Sequence, residues 1–300
     1  MTRGRPAARP DLHPLLEEWA GDLASENKSP RTIAGYLVDL RQFQHFLRER
    51  ELLAVRAEDV RRFSHTMTRA RLQPRSRSRR LVAVRRFYDY LARTGRLPQS
   101  PARDIRPPRA KPRSPNFLTP QEVQALRRAI PGTDRGLRDR AVIELGLQSL
   151  RISEILGLDL DDVYLDRQQV RILGKGGGEV LQPITEAGVR AAEAWLRRRP
   201  LCRSRALFIP LPPRGPQTRL HYTTVEKLFH AYLRSAAITR PLRFHDLRHT
   251  VGVTLADRGV PLQFIQDLLR HRDPKTTRVY TQVARERLAE VLDRELEFPE

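Results

Sequence analysis

The stretch "LPQSPARDIRPPRAKPRSP", residues 97–115, holds six prolines and five basic residues without any apolar period. Proline lacks the N–H that a helix interior or a central strand needs, so no regular element can run through this stretch. It reads as a linker, placed at residues 101–116, and it divides the chain into two parts that fold separately. A chain of 300 residues has room for two cores.

The part ahead of the linker, residues 1–100, reads as helices. "LHPLLEEWAGDLA" puts Leu12, Leu15, Leu16 and Trp19 on one stripe, and "RTIAGYLVDLRQFQHFLRER" repeats Ile33, Tyr36, Leu37, Leu40 and Phe43 at helical spacing. A third helix is predicted over roughly Ser76 to Thr94, with Leu81, Val84, Phe87, Tyr88 and Leu91 inward and arginines outward. Behind the linker, residues 117–300 open on "LTPQEVQALRRAI". There Thr119 is placed as an N-cap, Pro120 at the first helical position and Glu122 as the partner in a capping box. Helices continue through Leu156. "QVRILGKGGGEVLQPI" then reads as a β-hairpin with Lys175 at its tip. Helices follow again, broken by "PLPPRGPQ", and the tail from Ala284 to Leu296 sets Leu288, Val291, Leu292 and Leu296 on one side. The pattern predicts a helical domain, a basic linker, and a mostly helical domain carrying one small sheet.

Charge narrows the partner. The formal net charge is +21. Residues 1–113 carry 26 Lys+Arg against 12 Asp+Glu, a balance of +14, which leaves +7 for the remainder. Arg61 to Arg86 contains ten arginines, and the next acid is Asp89. Such a block suits a polyanion, nucleic acid first among them, and a solvated arginine-rich surface is the plain alternative. Arg75, Arg77, Arg79, Arg80, Arg85 and Arg86 are the candidate phosphate contacts. The lone Cys202 excludes an internal disulfide and a zinc site built on cysteines. With neither an apolar leader nor a membrane-length run, the expected place is the cytoplasm, and no membrane is expected as a partner.

Only five of the 56 basic residues are lysine: Lys28, Lys111, Lys175, Lys227 and Lys275. Where the chain needs charge it uses arginine, so a conspicuous lysine suggests a proton to give.

"FHDLRHT", Phe244 to Thr250, carries the densest chemistry. His245 and His249 are four apart, the spacing of two zinc ligands on a helix, although the fixed charge of Arg248 opposes a cation there. His245 and Arg248 are three apart and equally make a donor pair for phosphate. Upstream, "LQSLRISEILGL" starts a helix at Arg151, where an anion could meet a guanidinium and free backbone N–H groups. Downstream, "LLRHRDPKTTRVYTQV" supplies His271 and Tyr280. If they converge, these six residues suffice for metal-free phosphodiester chemistry. Taken singly, each has a plainer role, such as Arg151 pairing with Glu154 or His271 capping a helix.

In order and spacing, Arg151, Lys175, His245, Arg248, His271 and Tyr280 resemble the active-site set of the tyrosine recombinases, and the chain is most similar to their Xer and phage-integrase branch. The resemblance covers nearly the whole chain. It implies a mainly α fold: an N-terminal helical core-binding (SAM-like) domain and a mostly α catalytic domain with a small β-sheet, forming a C-shaped clamp on DNA. It implies Tyr280 as nucleophile, making a 3′-phosphotyrosyl link, with Arg151 and Arg248 on the non-bridging oxygens. Lys175 would protonate the leaving 5′-oxygen, His245 would serve as base and later acid, and His271 would donate to a non-bridging oxygen. No metal or other cofactor is implied. The partner would be double-stranded DNA, a core site with inverted repeats, bound by a tetramer on two duplexes whose tails, residues 285–300, dock in trans. A second recombinase in the complex is compatible with this. The work would be chromosome dimer resolution or movement of a genetic element. A topoisomerase-like nicking-closing enzyme, a DNA-binding protein without chemistry, and a zinc hydrolase are the rivals.

Two positions depart from the family pattern. Arg270 stands where glycine usually precedes the second histidine, and Gln148-Ser149 stand where Thr-Gly is common. Both changes remove backbone freedom near the phosphate.

Overall fold

The structure, a computed structural model, describes residues 13–48, 50–108, 116–174, 178–213 and 218–270. The chain forms two compact units, residues 1–112 and 113–300. Among the described residues, no helix is long and apolar enough to cross a membrane.

Among the described residues, four α-helices build the first unit: α1 (Pro14–Ser25), α2 (Pro30–Leu47), α3 (Ala57–Arg69) and α4 (Pro74–Arg93). Three of them begin with proline, whose fixed φ suits a first turn that needs no N–H. Leu15, Leu16, Trp19 and Leu23 of α1, with Leu40 and Phe43 of α2, meet Leu81, Val84, Phe87, Tyr88 and Leu91 of α4 in one core. Trp19 packs edge-on to Phe87 at 5.4 Å, and the buried Tyr88 hydroxyl donates to the Leu52 carbonyl at 3.0 Å. Helix α3 is absent from the sequence reading. It buries Val60, Phe63 and Met67, three and four residues apart, between arginine-rich outer faces. The helix read as third from sequence is therefore the fourth, and the arginine block spans two helices and the turn between them.

The second unit packs its helices chiefly around α6 and carries a small three-stranded sheet, of which β3 is largely exposed. Helices α5 (Pro120–Arg128), α6 (Asp134–Gly146) and α7 (Ile152–Gly157) come first. The capping box at α5 is present: the Glu122 backbone donates to Thr119 Oγ1 at 3.2 Å, and the Thr119 backbone donates to Glu122 Oε2 at 2.8 Å. Strands β1 (Val163–Tyr164), β2 (Gln169–Leu173) and β3 (Glu179–Pro183) are antiparallel in the order β1-β2-β3, with Leu173 opposite Glu179. The hairpin is the expected one; the two-residue β1 at its edge is additional. Then follow α8 (Glu186–Arg198), α9 (Tyr222–Ser235), α10 (Asp246–Asp257) and α11 (Leu262–Leu269). Trp195 of α8 is sealed in the core and donates its indole N–H to the Leu207 carbonyl at 2.9 Å.

Helix α6 runs through the core. On it, Arg138 and Asp139 are 2.7 Å apart, and the Tyr232 hydroxyl of α9 donates to Asp139 Oδ2 at 2.7 Å. At its end, Gly146 lets α10 approach: a Cβ there would lie 2.9 Å from side-chain atoms of Phe244 and Leu247.

Helix α10 is anchored by Leu247, Val253 and Ala256, whereas Val251 and Leu255 are only half-buried. Four-residue steps from Leu247 would pick Val251 and Leu255 as the inward face. The helix instead also buries Arg248, Thr250 and Gly252, which rotates the covered face. The segment entering this unit is pinned to the same helix. The Leu118 backbone donates to Thr250 Oγ1 at 2.9 Å, and Phe117 packs on the cluster of Val253, Ala256, Ile265 and Leu269.

Candidate active site

Three of the six predicted site residues, Arg151, His245 and Arg248, fall in the described structure, and two elements, α7 and α10, deliver them. Lys175, His271 and Tyr280 lie outside the described residues, as does the tail at 285–300.

Arg151 is the N-cap of α7. Its backbone N–H donates to Glu154 Oε2 at 2.8 Å, and its Nη1 donates to Glu154 Oε1 at 2.9 Å. The plain pairing with Glu154 is thus made. It takes up one edge of a half-buried guanidinium that has five N–H groups to offer.

Arg248 lies on the first turn of α10 and is 2 % exposed. Its Nη1 donates to the Ser149 carbonyl. Ser149 is fully buried in a left-handed conformation, φ 69°, just before Leu150 and Arg151, and its hydroxyl donates to the Leu268 carbonyl of α11 at 3.1 Å. The turn between α6 and α7 therefore links the two arginines, one residing near it and the other bonded to it.

His245 is the N-cap of α10, and its ring meets the His249 ring edge-on at 5.1 Å. His245 keeps an exposed face. Loss of hydration on its protein side, followed by the neighbouring His249 and the charges of Arg248 and Arg151, pushes the imidazole pKa down to about 4. Burial and Arg248 lower His249 as well. Both rings are neutral at pH 7, which leaves His245 able to accept a proton. Among the described residues, no group of three His, Cys, Asp or Glu could hold a metal ion.

Sequence reasoning saw Glu154 only as a plain partner for Arg151. It is the hub of the cluster: Arg270 Nη2 donates at 2.6 Å to its Oε2, the oxygen that also takes the Arg151 backbone N–H, while Oε1 takes the Arg151 side chain. Despite burial, which opposes ionisation, the Arg151 backbone bond and the Arg270 charge hold the Glu154 pKa below the ordinary range. Arg270 caps α11 in the left-handed region, φ 48°, and its carbonyl accepts from Arg151 Nη2 at 3.3 Å. Both positions where glycine was expected, 149 and 270, thus have the backbone that glycine adopts without strain.

The six candidate DNA-binding arginines lie on α4 of the first unit. Arg79 pairs with the fully buried Asp39 at 2.7 Å, and Arg80 faces the same carboxylate at 3.9 Å. Arg77 donates to Thr68 Oγ1 at 2.6 Å. Arg85 faces Asp89 at 3.6 Å, and Arg86 faces Glu26 at 3.8 Å with the Tyr36 ring beside it. Arg75 is exposed at the start of the helix.

Residues 116–287 match the phage integrase family, and residues 16–95 match the phage integrase N-terminal SAM-like domain. The chain is 38% identical to tyrosine recombinase XerC of Myxococcus xanthus, covering 94% of this chain and 97% of that protein. It is 33% identical to tyrosine recombinase XerD of Shewanella oneidensis, over 93% and 95%. Among solved structures, XerH recombinase bound to palindromic difH superposes with a TM-score of 0.74 at 19% identity, over 94% of this chain and 84% of that one. A lambda integrase dimer bound to a core site gives 0.71 at 15%, over 91% and 95%.

Proposed function

The chain belongs to the phage integrase family, as a site-specific tyrosine recombinase of the Xer type, and from that premise we propose how its residues cut and rejoin DNA. The observation that carries the mechanism is that Arg151 stands at the start of α7 and His245 and Arg248 at the first turn of α10, with Arg248 bonded to the Ser149 carbonyl and Arg151 to the Arg270 carbonyl.

Arg151 and Arg248 hold the non-bridging oxygens of the scissile phosphate with charge-assisted bonds, and they stabilise the charge that gathers at phosphorus. Tyr280 attacks in line, the phosphate becomes its 3′-ester, and the 5′-oxygen leaves with a proton from Lys175. A phenol with an ordinary pKa of about 10 needs a base, and the neutral His245 supplies it. His271 donates to a non-bridging oxygen. The ester conserves the energy of the broken bond, so the reverse attack by a 5′-hydroxyl reseals the strand. Exposed arginines of α4, Arg75 among them, hold phosphates of double-stranded DNA at a core site of inverted repeats. Four copies on two duplexes exchange strands, with the tail at 285–300 docking on a neighbour through Leu288, Val291, Leu292 and Leu296. Chromosome dimer resolution in the cytoplasm is the role that fits Xer-type relatives. Nothing in the comparisons favours the nicking-closing enzyme or the DNA-binding protein without chemistry.

Covalent capture tests this reading. Incubated with a nicked, partly randomised duplex pool, the chain should retain DNA after denaturation, and Tyr280→Phe should not. Retention by both variants, or by neither although both bind DNA, would count against Tyr280 as nucleophile.

A further inference from the structure

Position 270 carries a charge where the family pattern has no side chain at all, and that charge is aimed at Glu154. We propose that Arg270 is a positioning residue for Arg151, acting through the Glu154 carboxylate and through its own backbone carbonyl. The inference rests on the reading of Arg151 as a phosphate ligand.

Three contacts carry it. Glu154 Oε1 takes Arg151 Nη1 at 2.9 Å, Glu154 Oε2 takes Arg270 Nη2 at 2.6 Å, and the Arg270 carbonyl takes Arg151 Nη2 at 3.3 Å. The Arg151 guanidinium is therefore gripped at two of its nitrogens by groups that Arg270 either supplies or orients. Charge makes the second part of the case. A carboxylate beside a single guanidinium makes a neutral pair, which has little attraction left for a phosphate. With Arg270 on the other oxygen the trio is net positive, and the side chains of Glu154 and Arg270 are only 10% and 18% exposed, so water screens this little. Arg270 also adopts a left-handed backbone that costs an arginine more than a glycine, a cost the ion pair offsets. Arg270 is thus not an intrusion into the pocket. It leaves Arg151 its full charge and fixes its direction.

The test uses Arg270→Gln, which keeps most of the volume and removes the charge, and Glu154→Gln in a double-mutant cycle. On a nicked core duplex, R270Q should slow covalent adduct formation about tenfold or more, with DNA affinity and its salt dependence unchanged, and E154Q should restore part of the rate in the R270Q background. Weaker DNA binding with a salt slope reduced by about one would instead make Arg270 a direct phosphate contact and overturn the proposal. So would an unchanged or faster rate.

A readout without DNA separates this idea from the recombinase reading itself. The Arg151 Nε–H resonance, assigned by its loss in Arg151→Lys, should exchange with water slowly in the parent chain and faster in R270Q. Equal exchange overturns the positioning role whether or not adducts form. Absence of adducts from the parent chain, with the exchange difference present, would sink the recombinase mechanism and leave the positioning intact.

Discussion

The Ser149 carbonyl accepts a hydrogen bond from Arg248 Nη1, and both residues are almost wholly sealed from solvent. A buried guanidinium is tolerated only when its N–H groups are met, so this carbonyl helps to hold in place a charge that the core would otherwise exclude. Lysine at 248 keeps the charge and loses the planar fork. Arg248→Lys should therefore slow cleavage by about a hundredfold while leaving DNA affinity within about threefold. Single-turnover adduct formation alongside equilibrium binding checks this, and a loss confined to binding would contradict it.

The left-handed backbone at Ser149 can be isolated from its hydrogen bond. Ser149→Gly and Ser149→Ala both lose the bond to the Leu268 carbonyl, but only alanine keeps the strain of φ 69°. The glycine variant should be the more stable of the two by about 1 kcal/mol in urea unfolding. An alanine variant of equal or greater stability would mean that the turn relaxes.

His245 should titrate well below an ordinary histidine, with a midpoint near 4, because lost hydration and then the nearby positive groups penalise its charged form. The unfolded chain binds this proton at about 6.5, so it takes up more protons than the folded chain between the two values. Stability should thus be greatest above about pH 6.5 and fall as pH drops toward 4, and His245→Gln should flatten that slope. Bound DNA brings negative charge to the ring and should raise the midpoint. Imidazole proton shifts read both effects, and a midpoint at or above 6.5 without DNA would refute the first.

The arginines of α4 are not equivalent. Arg75 is exposed, whereas Arg80 is half-buried and faces Asp39. Arg75→Ala should weaken DNA binding and lower the salt slope by about 0.9, and Arg80→Ala should leave the slope unchanged and lower stability instead. Binding measured from 50 to 200 mM salt distinguishes them; an equal loss of slope in both would not fit.

Tyr232 and Asp139 make a test of the catalytic unit that avoids the catalytic residues. Tyr232→Phe removes a donor from a buried carboxylate and should cost about 1–3 kcal/mol, with adduct formation unchanged where the variant is folded.

How far the chain could be read in advance follows from how local each signal is. The hairpin, the Thr119 capping box and the stripes of α1, α2 and α4 are written within a few residues, and each is where it was expected among the described residues, Leu12 of the first stripe lying outside them. Helix α3 escaped because arginines at 61, 62 and 69 drew notice as charge, hiding the spacing of Val60, Phe63 and Met67. The buried face of α10 is not legible by four-residue steps from Leu247, because such steps drift around a 3.6-residue helix and because the helix buries Arg248 and Thr250 as well. The contact between Glu154 and Arg270 joins residues 116 apart. No pattern in either segment announces it, since only the fold brings them together. The left-handed turns at Ser149 and Arg270 were hinted at by glycine being the expected residue, but not the bonds those turns make possible.

The seam at residues 117–118 has a mechanical meaning. Phe117 packs on Val253 and Ala256 of α10, and the Leu118 backbone is bonded to Thr250, two residues from Arg248. The entry of the chain into this unit is thus tied to the same helix that presents Arg248, so a change that loosens Phe117 or Leu118 removes support from that helix.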